Sequence, residues 1–392
     1  MTSALSNIYG RLPVAFTHGQ GVWLWDAQGK RYLDGLSGIG VSCLGHAHPE
    51  LVKAIADQAG KVIHTSNIYE VPLQEQLAQR IVAISGMTEV FFGNSGAEAN
   101  EGAIKLARMY GHIKGFQTPT IISMESSWHG RTLGTLAATG SDKARQGFGP
   151  LPEGFKLVKY NSIEAIEQAA ADCPEVVAVL LEVLQGEGGI RPSDLEYLKS
   201  LRKLCDQRGW LMMIDEVQSG IGRTGKWLAH QWADILPDVI TLAKGLGGGV
   251  PIAAVGARGP AAGVLKPGHH GTTFGGGPLV CAAGLAVFDA IERQNLLSNA
   301  AVVGDHLQQR LNKELTGLEG VKDIRGRGLM IGIELAKPCA ELVRSALDQG
   351  LLINVTRDSV IRLLPPLILT QQEADQIVEI LVPLIKQFLG KA

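Results

Sequence analysis

Short apolar runs recur along the first three quarters of the chain, over 90–92, 120–124, 176–181, 211–214, 239–242 and 252–256. Each is strand-length and bounded by turn-forming or polar residues, so each is predicted to be a buried strand. Between them the apolar positions fall at helical spacing over 97–109, 163–171, 194–207 and 279–292. This alternation predicts an α/β fold with a mostly parallel central sheet and covering helices. After about residue 295 the texture changes. A long helix over 299–318, strands over 329–334, 351–355 and 360–364, and a helix over 371–389 predict a smaller α+β lobe. Near the start, apolar stretches at 23–25 and 31–33 flank a Gln28-Gly29 turn and predict a hairpin that joins that lobe. The expected division is 1–48 as a segment joining the small lobe, 49–294 as the large domain, and 295–392 as the small one. There is no internal repeat or low-complexity tract.

Composition narrows the class. The 392 residues are 45% hydrophobic and 19% charged, with a net charge of −2, as in an ordinary soluble protein. That balance gives no support to nucleic-acid or anionic-membrane binding. Five cysteines at 43, 173, 205, 281 and 339 form no CxxC, which points to a reduced interior, no disulfide framework and no metal site. The start, Met1 to Ser6, lacks the basic and apolar regions of a secretory leader. No segment reaches the ~20 apolar residues of a membrane helix, so the expected location is cytoplasmic. The 49 glycines are clustered, which suits backbone brought close to a ligand.

Candidate chemistry begins with Asp215 and Lys244. Asp215 closes one apolar run; Lys244 follows another and precedes Gly245-Leu246-Gly247-Gly248-Gly249. A carboxylate and a lysine at adjacent strand ends can face one crevice, where open α/β sheets bind ligands. Pyridoxal phosphate needs that pair: an amine for the Schiff base, and an acid that keeps the pyridine nitrogen protonated. Gly93 to Asn100 follows a predicted strand and opens a helix. Ser95 and Glu98 fit a capping box, and the free amides, small residues and hydroxyl also suit a phosphate. Beside a cofactor lysine the phosphate reading prevails. Trp128-His129-Gly130-Arg131 offers an aromatic ring to stack on a flat cofactor and a guanidinium fork for a carboxylate. Glu187 lies in a glycine-rich loop and Arg362 in an apolar strand, where a buried arginine needs a partner that Glu187 could supply. Thr272 and Thr273 precede Phe274 and three glycines, as a turn or a second phosphate contact. His46 and His48 have no carboxylate or cysteine set nearby and read as a loop.

Two nucleotide readings fail on spacing. Gly220-x4-Gly225-Lys226 nearly matches a triphosphate loop, but Trp227 stands where Ser or Thr should bind magnesium. Gly245 to Val250 lacks the sixth-position glycine of a dinucleotide fingerprint, and Pro251 follows at once.

Taken in order, Asn94 to Glu101, His129 to Leu133, Gln185 to Gly189, Asp215 to Gln218, Ala243 to Gly249 and Gly271 to Phe274 resemble the class III aminotransferases. The likeness covers nearly the whole chain. It implies fold type I, with helices on both faces of the sheet, and pyridoxal 5′-phosphate as cofactor. By that resemblance Lys244 carries the cofactor and later moves the substrate proton, while Asp215 pairs with the pyridine nitrogen. Val217 and Trp128 would pack on the two ring faces, with His129 nearby and Gln218 near the ring hydroxyl. Ser95, Gly96 and Ala97 would bind the phosphate, joined by Thr273 of a neighbouring subunit, with Thr272 beside it near the substrate. A shared site implies a homodimer. Arg131 would hold the distal carboxylate of either substrate, and Arg362 the α-carboxylate of glutamate. Glu187 would cover Arg362 when the donor presents only a terminal amine. The implied reaction joins N2-acetyl-L-ornithine and 2-oxoglutarate, a step suited to arginine biosynthesis, with other ω-amino donors as the alternative. Three places depart from the family's usual pattern: Trp128 for Phe or Tyr, Val183-Leu184 for Pro-Ile, and Gly277 for Asn.

Overall fold

All six short apolar runs lie in one seven-stranded sheet of the computed structural model, which describes residues 4–390. The leader reading at Met1 to Ser3 therefore falls outside the described residues. The strands Val239–Leu242, Leu211–Asp215, Val176–Leu181, Thr120–Met124 and Phe155–Val158 run parallel in that order. Ala253–Ala257 is antiparallel to Val239–Leu242 on one side and to Glu89–Gly93 on the other. Thr120–Met124, Val176–Leu181, Leu211–Asp215 and Val239–Leu242 are buried along their whole length, which is why they read as unbroken apolar runs.

Helices cover both faces. On one side the helix Gly96–Ile113 packs Ala99, Ala103, Leu106 and Ala107 against Ile121, Leu180 and Met213. On the other, Leu195–Arg208 lays Leu198, Leu201 and Cys205 against Ile122, Val179 and Met212. Successive strand residues point to opposite faces, so one strand feeds both cores.

Beyond residue 295 the strands Val321–Arg327, Met330–Leu335, Val360–Leu363 and Asn354–Thr356 form a wholly antiparallel sheet. The helices Leu296–Leu315 and Gln371–Phe388 pack together against it, the second started by a capping box between Thr370 and Glu373. The strand expected over 351–355 is divided. Leu351–Leu352 leaves that sheet and pairs in parallel with Arg31–Asp34, the second strand of the expected N-terminal hairpin. Leu364 donates its amide to Gly35, and Ser37 Oγ donates to the Leu364 carbonyl at 2.6 Å. The start of the chain thus holds the strand that carries Arg362.

The glycine run resembling a triphosphate loop is a brace. Arg223 within it is buried and donates to the carbonyls of Leu329 and Pro365, and Trp227 stacks on Phe288 at 4.8 Å. The two loop histidines are engaged as well, His46 with Asp34 at 2.8 Å and His48 with Gln294 at 3.0 Å. Among the described residues no helix is long and apolar enough to cross a membrane.

Candidate active site

Five strand ends converge on one crevice. Asp215 is the last residue of its strand, and Lys244 opens a 3-10 turn just after Val239–Leu242. Lys244 has φ +43°, a left-handed value that a non-glycine residue keeps only where its surroundings impose it. Glu182 follows Val176–Leu181, Trp128 and His129 follow Thr120–Met124, and Gly96 opens the helix behind Glu89–Gly93. With Ser95, Ala97, Asn100, Val217 and Gln218 they line a cavity of about 340 Å3.

Asp215 is fixed by three donors. Its Oδ2 accepts from Asn100 Nδ2 and lies opposite His129 Nδ1, both at 2.8 Å, and its Oδ1 accepts the Val217 amide at 2.9 Å. Asn100 is held in turn, accepting from Thr241 Oγ1 at 2.8 Å and donating to the His129 carbonyl at 2.8 Å. Such a carboxylate cannot turn away without stranding several buried groups. Neither Asn100 nor Thr241 was a candidate from sequence. A signal existed for Asn100, four residues beyond Gly96 and so on the same helix face.

Lys244 Nζ has its pKa lowered. Burial disfavours the ammonium and the Arg362 guanidinium adds to this, while Asp215 opposes both. Glu182 is a second buried carboxyl that sequence reasoning passed over, although it ends an apolar strand just as Asp215 does. Its Oε2 accepts the Trp128 amide at 3.0 Å and its Oε1 the Gly186 amide at 3.1 Å. Burial pushes its pKa up to about 7, with His129 opposing and Asp215 reinforcing the rise.

At the helix start Ser95 Oγ accepts the Glu98 amide at 3.3 Å. The Glu98 carboxylate reaches the Asn94 amide rather than that of Ser95, so the expected capping box closes one residue early. The amides of Gly96 and Ala97 belong to the first turn, where no intrahelical partner exists. A Cβ on Gly96 would lie 2.7 Å from Val217 Cγ1, so only glycine permits this approach of helix and acidic loop.

The far side of the crevice is ionic. Arg362 is fully buried and donates through one terminal nitrogen to Glu187 Oε1 at 2.6 Å and to Gln218 Oε1 at 3.2 Å. Its Nε donates to Asn354 Oδ1 at 3.0 Å, and its other terminal nitrogen has no protein partner. Gln218 is thereby drawn to the arginine. Arg131 is exposed and lies over the Trp128 ring at 4.6 Å, in cation–π contact. Thr272 Oγ1 accepts from Asn94 Nδ2 and from the Gly275 amide. Thr273 is exposed and lines no part of its own chain's crevice, and Phe274 next to it is 65% exposed.

Residues 5–385 match the family model for class-III aminotransferases. The chain is 69% identical over 391 residues to acetylornithine aminotransferase 1 of Bordetella bronchiseptica, covering 100% of both chains. It is 54% identical to the acetylornithine aminotransferase of Nitrosomonas europaea, covering 99% of this chain and 98% of that one. A solved ornithine aminotransferase of Toxoplasma gondii, with partial occupancy of PLP at its active site, superposes with a TM-score of 0.95. It shares 32% identity, over 99% of this chain and 93% of that one.

Proposed function

The chain belongs to the class-III aminotransferases, and on that premise we propose an amino transfer that uses pyridoxal 5′-phosphate. The terminal amino group of N2-acetyl-L-ornithine passes to 2-oxoglutarate, giving N-acetyl-L-glutamate 5-semialdehyde and L-glutamate. The observation that carries this reading is the pairing of buried Arg362 with half-buried Glu187, joined to the Lys244–Asp215 crevice through Gln218. An arginine that must bind a carboxylate in one half-reaction and tolerate an uncharged carbon in the other needs a removable partner.

The residues present fit the cofactor. Lys244 would hold its carbonyl carbon, Asp215 its ring nitrogen, and Ser95 with the Gly96 and Ala97 amides its phosphate. Val217 and Trp128 would flank the ring, and Gln218 would lie near its hydroxyl. His129, bonded to Asp215 through Nδ1 and with no partner for Nε2 among the described residues, would steady that carboxylate. Bound there, the cofactor would supply an electron sink for the bond broken at the amine-bearing carbon.

The chain's own groups do the rest. Lys244, whose ammonium form burial disfavours, takes the proton from the amine-bearing carbon and returns it elsewhere. Arg131 holds the distal carboxylate: the α-carboxylate of acetylornithine, or the γ-carboxylate of glutamate. Arg362 holds the α-carboxylate of glutamate, and Glu187 neutralises it otherwise. Thr272 lies near the substrate. Thr273 completes the phosphate site of a second copy, and its exposure beside Phe274 supports a homodimer, with the cytoplasm as its expected location. The chain divides into 1–48, a segment joining the small lobe, 49–294, the large cofactor-binding domain, and 295–392, the small domain. Succinylornithine, ornithine, succinyl-diaminopimelate and 4-aminobutyrate are the rival donors.

The test is the visible spectrum of the purified protein with N-acetylornithine and no oxo-acid. The yellow absorption should fade and return on adding 2-oxoglutarate. A yellow protein that acetylornithine leaves unmoved would remove the donor and keep the cofactor. A protein that stays colourless after incubation with pyridoxal phosphate would overturn both.

A further inference from the structure

Arg223 lines no part of the crevice, yet its contacts converge on the strand that carries Arg362. Through Nη1 it donates to the carbonyls of Leu329, at 3.1 Å, and Pro365. Leu329 immediately precedes the strand Met330–Leu335, and Pro365 lies two residues past Val360–Leu363. Those strands pair with each other, with Gly332 opposite Arg362. One guanidinium nitrogen therefore closes the end of the ladder, with Arg362 and Gly332 each three positions further in. The backbone around Arg223 fits the same place. Leu329 donates its amide back to the Arg223 carbonyl at 3.0 Å, and a Cβ on Gly328 would lie 2.6 Å from the Thr224 carbonyl carbon. Gly328 also has φ +55°, so both the approach and the turn require glycine there. Five positions before Arg223, Gln218 accepts from Arg362 at 3.2 Å. Arg362 is thus tied to the segment after Asp215 twice, directly by Gln218 and through its ladder by Arg223.

Stability alone does not explain an arginine here. Burial pushes its pKa down to about 10, and Asp34, whose charge it feels, is bound to His46 instead. Arg223 Nη2 has no hydrogen-bond partner among the described residues. A buried cation so placed carries a desolvation cost that two carbonyls only partly offset. What the two carbonyls do supply is a fixed position. We propose that Arg223 is a positioning residue: it sets how far Arg362 reaches into the crevice, and with it the affinity for the substrate that Arg362 holds. This rests on the reading of Arg362 as the α-carboxylate site for glutamate, and adds a residue that acts through the ladder without touching substrate. Acetylornithine, whose carboxylate Arg131 holds, is spared.

Glutarate carries the two carboxylates of glutamate and no amine, so its binding to the holoenzyme by calorimetry isolates the effect from turnover. Arg223→Met should weaken glutarate about tenfold, within the ~100-fold that a 1 Å misplacement can cost. The half-saturating glutamate concentration in single-turnover runs should rise to match, and that of N-acetylornithine should stay as in the wild type. Arg223→Lys, which keeps the charge and a donor, should recover part of the loss, and it carries the same test if the Met variant does not fold. In an Arg362→Ala background the Arg223 change should cost glutarate nothing further, because both act on one contact. Equal weakening of glutarate and acetylornithine, or additive losses in the double variant, would overturn the proposal. Glutarate affinity lost in Arg362→Ala but kept in a folded Arg223 variant would overturn it alone. Glutarate affinity kept in Arg362→Ala would overturn the Arg362 assignment and this inference with it.

Discussion

Around Asp215 each partner comes from the large sheet's strand ends and the helix packed on it, whereas Arg362 is gripped by its cross-strand neighbour and by two distant parts of the chain. Asn100, His129 and Val217 are carried by elements that share one core. Glu187, Gln218 and Asn354 come from a glycine-rich loop, the turn after the acidic strand, and the small sheet. The first arrangement sits on one sheet, and the second joins that sheet to the antiparallel one. A change at the first should therefore alter rate for every substrate alike, and a change at the second should alter choice between substrates.

The hardest test of that contrast is Lys244→Ala. Losing the group that moves the proton should slow both half-reactions by about 10^4-fold, followed by single-turnover absorbance. A loss confined to one substrate would break the contrast at its firm end. Glu187→Ala should act selectively. Removing this half-buried carboxylate leaves buried Arg362 with only the neutral partners Gln218 and Asn354 whenever no substrate carboxylate covers it. The ratio of kcat/KM for acetylornithine over glutamate should fall on the order of tenfold or more, and an unaltered ratio would end the proposed role of Glu187.

The smallest effect concerns Glu182, which joins the two regions through the Trp128 and Gly186 amides. Its carboxyl is raised from the usual 4.5 to about 7, so the folded chain keeps a proton that the unfolded chain releases between those values. Stability from this group is full below pH 4.5 and is lost as pH rises through 7. Thermal melts should show a fall in Tm from pH 5 to pH 8 that is smaller in Glu182→Gln by about 2–4 °C. Parallel curves would mean that the carboxyl ionises as freely folded as unfolded.

Sequence made the buried parallel strands legible because burial on both faces leaves mostly apolar residues. Thr120–Met124, Val176–Leu181 and Val239–Leu242 begin and end where their runs do. Phe155–Val158 escaped notice as a half-exposed edge strand with Lys156 inside it. The helices Pro49–Ala59 and Pro72–Ser85 escaped too, though each carries a proline at its first turn, where that residue is favoured. At the site, Lys244 and Asp215 were visible because strand ends are visible. Asn100, Thr241 and Glu182 were not, since their meaning lies in which atoms of separate elements meet. Arg223 was hidden for the same reason, its partners lying more than a hundred residues further along.

The parallel pairing of Arg31–Asp34 with Leu351–Leu352 has a consequence in time. A ribosome adding about 5–20 residues per second releases the first strand on the order of tens of seconds before its partner exists. For that interval Leu33, buried in the finished protein, has its hairpin neighbour Trp23 but not the strand that later pairs with it on the other side. Until then the Arg31–Asp34 strand has one unpaired edge, the kind of surface on which another chain can add a strand.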